Sequence, residues 1–345
     1  MSVTAADHAL RRPRLGGAHI ALLVMGATGM TAALFARTAL QGRADFLLVV
    51  FLLSATAVTV ATGVVEGARA ARSRLAITVL YSTLALALIP LVAVLTYTVN
   101  RGSRAISIGF LTHSMKGVGP LDAGGGAYHA IIGTLEQVLI ASGISVPVGL
   151  LTAIYLVEYG RGRLAGVVRF VVDVMTGIPS IVAGLFVFAF WVLGLHKGFS
   201  GMAAGLALAV LMVPIVVRAS EEMLKLVPAD LREASWALGV PRWRTILSVV
   251  LPTASAGLTT AVMLAVARVT GETAPLLLTA FGFDAIKTDP FHGPQSALPL
   301  YVFSQAGSAF DVAVNRAWAG ALTLIAVVLL LTTAARLLTR RNRLV

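Results

Sequence analysis

Eight stretches of this chain are apolar for long enough to cross a bilayer, and short polar joints separate them. A helical span needs about 20 mostly apolar residues. The segments that qualify are roughly 18–36, 46–65, 76–98, 131–157, 167–194, 202–218, 248–268 and 318–338. One joint stands apart: 227–252, VPADLREASWALGVPRWRTILSVVLP, is a charged, helix-coded island between the sixth and seventh segments. Two other joints are long. The first, 99–130, carries GVGPLDAGGGAYHA. Its triple glycine, Gly124 to Gly126, lacks the Gly-Lys-Ser/Thr of a phosphate-binding loop and reads as a flexible lead-in to the fourth helix. The second, 272–316, is partly apolar, and 299–310 (PLYVFSQAGSAF) is expected to lie along the membrane surface.

Composition agrees with the pattern. The 345 residues are 58% hydrophobic and 12% charged, with a mean hydropathy of +0.90, whereas soluble domains carry roughly 25% charged residues. A water-soluble fold could not cover that much apolar surface. The expected class is an all-α, polytopic membrane protein of about eight spans. The net charge of +12 does not point to nucleic acid, because Arg and Lys cluster beside apolar segments, where they set topology. Arg11, Arg12 and Arg14 precede the first span, and Arg69, Arg72 and Arg74 follow the second. Arg161, Arg163 and Arg169 follow the fourth, the island follows the sixth, and Arg336, Arg340, Arg341 and Arg343 end the chain. All fall on one side if all eight segments cross. That side is the cytoplasm, so both termini are expected inside, with Arg37, Arg43, Arg101, Arg104 and Lys116 opposing the trend. The run from Ala18 to Ala36 reads as a retained first helix, not a removed signal. Residues 1–75 then form a two-span extension, and 76–345 a six-span unit with a cytoplasmic loop over 219–247.

Enzymatic signatures are absent. There is no Walker A loop, HExxH or GxSxG, no cysteine for a disulfide or thiolate site, and the six histidines are scattered. Energy for uphill work must come from ion coupling or from another subunit. Within the island, Pro228 suits a first helical turn and Asp230 the positive end of the dipole. Gly239 followed by Pro241 is a stop. A helix over about 228–238 follows, with Leu231, Ala234, Ser235 and Leu238 on one face and Arg232, Glu233 and Trp236 around the other. Periodicity alone leaves open an ordinary interfacial helix and a docking helix.

Spacing adds to this. Glu233-Ala234-Ser235, then Gly239, then Val249-Val250-Leu251-Pro252 resembles the EAA loop of ABC-importer permeases, with Ser for the second Ala and Val for Ile. Three further stretches, DVMTGIPSIVAGLF (173–186), MVPIVVRASEEMLKLVP (212–228) and ARVTGETAPLLLTAF (267–281), are similar to phosphate-importer permeases of the PstA type. The resemblance covers roughly 77–338 and leaves the first two spans without a counterpart. It implies a permease subunit in the bacterial inner membrane, with Glu233, Ala234, Ser235, Gly239 and Pro241 forming a coupling helix against a separate ATPase. It also implies a homologous second permease, an ATPase dimer that binds ATP and Mg²⁺, and an external phosphate-binding protein. No cofactor is expected in this chain, and its other partner is membrane lipid.

The residues of those stretches suit an anion path. Arg268 lies ~16 residues past Pro252, about 24 Å along a helix, and Glu272, one turn on, can pair with it. Arg218 sits near the inner end of the sixth span, with Glu221 and Glu222 just after. Intramembrane ionisable residues are costly and point to function; a guanidinium fork suits a tetrahedral oxyanion. Arg268, Glu272, Arg218 and Glu222 are therefore the candidate pathway residues, although snorkelling also accounts for Arg218. Pro179, Pro214, Gly177 and Gly184 read as kinks and close-packing points, and Glu136 has no assigned role. Rival readings are a permease for sulfate or molybdate, an ion-coupled transporter or channel acting alone, and a membrane enzyme.

Overall fold

The computed structural model describes residues 15–36 and 42–341; Arg11, Arg12, Arg14, Arg37 and Arg343 of the charge pattern lie outside them. Among the described residues the chain is helix and loop, with one isolated bridge between Phe281 and Gln295. Seven helices are long and apolar enough to cross a membrane. Those over 17–105 carry outward Leu, Val and Ile side chains along most of their length, whereas Gly201–Lys225 is largely enclosed by the others.

The chain divides into two compact units, Met1–Leu95 and Thr96–Val345. The expected boundary at 75/76 falls inside one continuous helix. In the first unit, α1 (Gly17–Phe35) and α2 (Arg43–Val65) pack side by side, with Phe35 edge-on to Phe46 at 5.3 Å. Helix α3 (Ala68–Ala105) is 38 residues long, or about 57 Å, and leads out of this unit.

The second unit is built around α5 (Tyr128–Ile154) and α8 (Gly201–Lys225). Small residues let these two approach closely: a Cβ on Gly149 would fall 2.6 Å from Val216 Cγ1, and one on Gly205 would fall 2.6 Å from Ile140 Cγ2. Ser145 Oγ donates to the Ala209 carbonyl at 3.2 Å across the same seam. The core continues through Met212 and Val216 to Ala265 and Val269 of α11 (Leu251–Thr270), and to Leu276 of α12 (Ala274–Thr279).

Three expectations change. The segment 167–194 is two helices, not one straight span: α6 (Arg163–Thr176) and α7 (Ser180–Val187, running on to Gly194 as a π turn) meet at 104°. Gly177 ends α6, and Pro179, with no N–H to donate, cannot continue it. The glycine-rich joint holds a short helix α4 (Ile108–Thr112), and its loop is pinned rather than slack. The buried Arg316 guanidinium of α14 (Asp311–Arg341) donates to the carbonyls of Asp122 (2.9 Å) and Gly124 (3.1 Å) and to Gln305 (3.0 Å). Residues 299–310 do not simply lie along the surface. Leu298, Pro299, Leu300 and Tyr301 of α13 (Leu298–Ala306) are buried, because Gln137 donates to Gln295 (3.0 Å) and to the Ser296 carbonyl (3.2 Å) just upstream. Gln295 in turn donates to Glu136, which gives that carboxylate a structural partner.

Gly149→Val tests the central seam. Overpacking against Val216 is expected to cost about 1–3 kcal/mol, read as a lower melting midpoint of the detergent-solubilised chain; an unchanged midpoint would remove the seam from the account.

Candidate functional site

The polar island folds as α9 (Ala229–Ala237), a four-residue stop over 238–241, and α10 (Arg242–Thr245), which runs through a π turn at Ile246–Val250 into α11. Pro228 is the N-cap of α9, Asp230 lies in its first turn, and Gly239 adopts φ +76°. Val240 N–H reaches the Ser235 carbonyl (3.2 Å) and Gly239 N–H the Trp236 carbonyl (2.9 Å), the paired closure that a left-handed glycine permits.

Arg232 holds this helix in place. Its guanidinium donates to the Val227 carbonyl (2.6 Å) and the Leu224 carbonyl (3.0 Å), closing the unsatisfied end of α8. It also pairs with Glu158 at 2.8 Å, with only 14% and 8% of the two side chains exposed. Glu158 lies in a π turn, Tyr155–Tyr159, at the end of α5, so one arginine ties α5, α8 and α9 together. Ser235 adds a second fastener: it is buried and shares a hydrogen bond of 2.9 Å with Thr245. The serine that replaces the usual second alanine therefore has a partner of its own.

The four residues expected on one face part company. Ser235 is at the edge nearest Arg232 and turns inward. Leu231 is 42% and Leu238 84% exposed, and both point outward with Glu233 and Ala234. The exposed side is thus two leucines flanking an alanine with a carboxylate alongside, and none of the described residues covers it.

The candidate pathway residues are not brought together. Arg218 lies in α8 at the end that leads into the coupling loop, while Arg268 lies in the last turn of α11, which runs away from that loop. Arg218 does not pair with Glu222. It bonds Glu221 at 2.9 Å and Asp173 of α6, while Glu222 takes Lys225 at 2.9 Å. Glu221, three residues after Arg218, is on its side of the helix and only 1% exposed; Lys225 (3.2 Å) and Arg169 (3.6 Å) complete its shell. A buried carboxylate needs such a shell. Arg268 and Glu272 form no ion pair among the described residues, because α11 stops at Thr270 and Gly271 turns the chain. Arg268 is left exposed at the helix C-terminus, where its charge complements the dipole. Beside it, Gly271 and Thr273 line a cavity of about 620 Å³ closed by Phe303 and Leu324.

Sequence reasoning missed Asp173, Glu158 and the role of Arg232. Glu158 and Arg232 are 74 residues apart, and no local spacing connects them.

Several apolar helices, two charge-bearing helix ends and one fastened, outward-facing helix define a multi-pass membrane protein. Residues 145–344 match the family described as binding-protein-dependent transport system inner membrane component. The chain is 47% identical over 281 residues to the phosphate transport system permease protein PstA 1 of Mycobacterium tuberculosis, covering 80% of this chain and 91% of that one. It is 41% identical over 276 residues to the corresponding PstA of Yersinia pestis, covering 80% and 92%. Among solved structures it resembles the inward-facing MetNI methionine ABC transporter, with a TM-score of 0.51 at 20% identity over 68% of this chain and 99% of that one; that likeness concerns the fold. The chain belongs to the binding-protein-dependent transport permeases, among those of the PstA type.

If Arg232 is the fastener, Arg232→Ala leaves Glu158 buried and alone, an expected loss of about 3–5 kcal/mol. Adding Glu158→Gln should recover part of it in thermal melts, and a strictly additive double variant would show that the pair is not coupled.

Proposed function

We propose that this chain is the membrane-spanning permease subunit of an ATP-driven importer that carries inorganic phosphate into the cytoplasm of a bacterial cell. The observation that carries the reading is α9: a helix bolted to its own chain on one side and bare on the other is built to transmit force from a partner. That partner is an ATPase dimer, which binds ATP and Mg²⁺ and hydrolyses the nucleotide; this chain does neither. Glu233, Ala234 and the flanking leucines form the contact. Ser235, Gly239 and Pro241 shape and anchor the helix that presents it. Kinship with PstA permeases supports phosphate as the cargo.

The α9 end then faces the cytoplasm together with both termini, and the Arg268 end faces out, where a phosphate-binding protein delivers its load to this chain and a homologous second permease. Residues 1–75 form an extension to the six-span unit. Closure of the ATPase pair on ATP draws the two coupling helices together and opens the path outward; hydrolysis resets it. Arg268, in no ion pair among the described residues, is the outer anion-binding group, with Glu272 close by in sequence to offset its charge. At the inner end Arg218 is held by Asp173 and Glu221. An arriving dianion competes with the exposed Asp173 for the guanidinium, while Glu222 and Lys225 complete the charged rim. Each hand-over is brief because a carboxylate waits to reclaim the arginine.

Uptake into proteoliposomes holding all subunits tests this. Arg268→Gln should abolish phosphate uptake while the complex still co-purifies, and normal uptake would remove its role. Robust uptake by this chain without an ATPase, driven by an ion gradient, would overturn the reading as a whole. Gly239→Val forces a β-branched residue to φ +76°, at about 1–2 kcal/mol of strain. It should weaken ATPase association, so unchanged co-purification and transport would count against docking through α9.

A further inference from the structure

A cavity of about 410 Å³ opens beside α9, and its wall is strongly basic. Arg161 comes from the turn after α5, Arg169 from α6, Lys225 from α8, Arg232 from α9 and Arg242 from α10, while Glu158 is the single acid. The available carboxylates do not balance this set. Glu158 is taken by Arg232, and Glu221 and Glu222 take Lys225, with Glu221 also reaching Arg169. Arg161 and Arg242 form no ion pair among the described residues. Arg242 is set over the Trp236 ring at 5.4 Å, which limits its freedom before any ligand arrives. Two unpaired guanidiniums at one hollow repel each other, and an anion between them relieves that repulsion. Planar guanidiniums match the paired oxygens of phosphate, the volume lies in the usual range for small-ligand pockets, and basic pockets at a membrane's inner face take lipid phosphates.

We infer that this cavity is a binding site for a phosphate-class anion, either free inorganic phosphate or the headgroup of an anionic lipid, that bridges the coupling helix to the α5–α6 turn. The inference rests on α9 being the coupling helix and on this end facing the cytoplasm. The ligand spans Arg161 on one side and Arg242 on the other, with Arg169 as the third donor. It lies against the Arg232–Glu158 pair, so an occupied site adds a second tie between the α9–α10 loop and the α5–α6 turn. Free phosphate accumulating inside would slow the importer; a lipid headgroup would make turnover depend on membrane composition.

The test uses the full chain in nanodiscs of phosphatidylcholine or of phosphatidylcholine with phosphatidylglycerol. Melting is followed against inorganic phosphate, with chloride at matched ionic strength, and native mass spectrometry counts retained phosphatidylglycerol. Stabilisation by phosphate in neutral discs supports the free anion; retained phosphatidylglycerol with stabilisation only in anionic discs supports the headgroup. In either case Arg161→Gln/Arg242→Gln should need at least tenfold more ligand for the same shift, while Arg104→Gln, which removes an exposed charge outside the cavity, should respond as the parent does. Should the double variant not fold, Arg161→Gln alone, at an exposed and unpaired position, gives the same readout. A double variant that responds like the parent, or a parent that responds to neither ligand, overturns the site. So does loss of ATPase co-purification with no ligand bound, which would make the cavity a protein contact. A ligand response that survives where uptake fails sinks the transport reading and not the site; lost response with intact uptake does the reverse.

Discussion

The guanidinium of Arg232 is the point on which the functional end of this protein depends. The last carbonyls of a helix have no partner within it, and α8 ends where the chain must turn sharply into α9. Arg232 donates to one of those carbonyls, that of Leu224, and to the Val227 carbonyl just beyond the helix, and holds Glu158 at the same time. A salt bridge this enclosed is a poor source of net stability, since desolvation of both groups offsets the attraction. Its value is in placement. With both partners present, α9 cannot shift without moving α8 or breaking the link to α5.

That constraint matters because α5 and α8 are also the tightest pair of the core. Gly149 and Gly205 bring the two backbones close, and Ala141, Leu208 and Met212 fill the seam with few polar atoms. Packed interiors respond by moving as units rather than by deforming. A push on the bare face of α9 therefore reaches two central helices through one arginine and a rigid seam. The shell of Arg169, Arg218 and Lys225 around Glu221 extends the linkage to α6. The charged residues that look superfluous in an apolar chain are concentrated where helices must be held to one another.

Much of this was legible in the sequence, and the failures share a cause. Hydrophobic runs marked the long helices, and Gly239 with Pro241 marked the stop of α9 to within a residue, because both signals are local. The break in 167–194 was in plain view as Gly177-Ile178-Pro179, but unbroken hydropathy outweighed it. Which of Glu221 and Glu222 partners Arg218 was not legible, because hydropathy says nothing about which side of α8 faces α6; Asp173 came from another helix. Arg268 and Glu272 were one turn apart only on the assumption that the helix continued, and it ends at Thr270. The pinning of the glycine-rich loop by Arg316 lay beyond reach for the same reason as Glu158 and Arg232, a contact spanning 192 residues.

The α9 loop and Arg268 lie at the two ends of one connecting element, α11, which therefore carries particular weight. Helix α11 leaves the loop through a π turn and runs 20 residues to Thr270, about 30 Å, with Arg268 in its last turn. A π turn widens the helix by one residue and is the point where such a rod most readily rotates. A movement imposed at α9 passes through α10 and the Ser235–Thr245 bond to the base of this rod. Its far end carries the exposed arginine. Glu272 is beyond the helix end, joined to its last turn by an N–H to the Val269 carbonyl (3.1 Å), so the turn at Gly271 and not the helical register sets its position. An arginine whose compensating carboxylate is on a separate segment can alternate between accepting an anion and releasing it; one paired rigidly along a single helix could not.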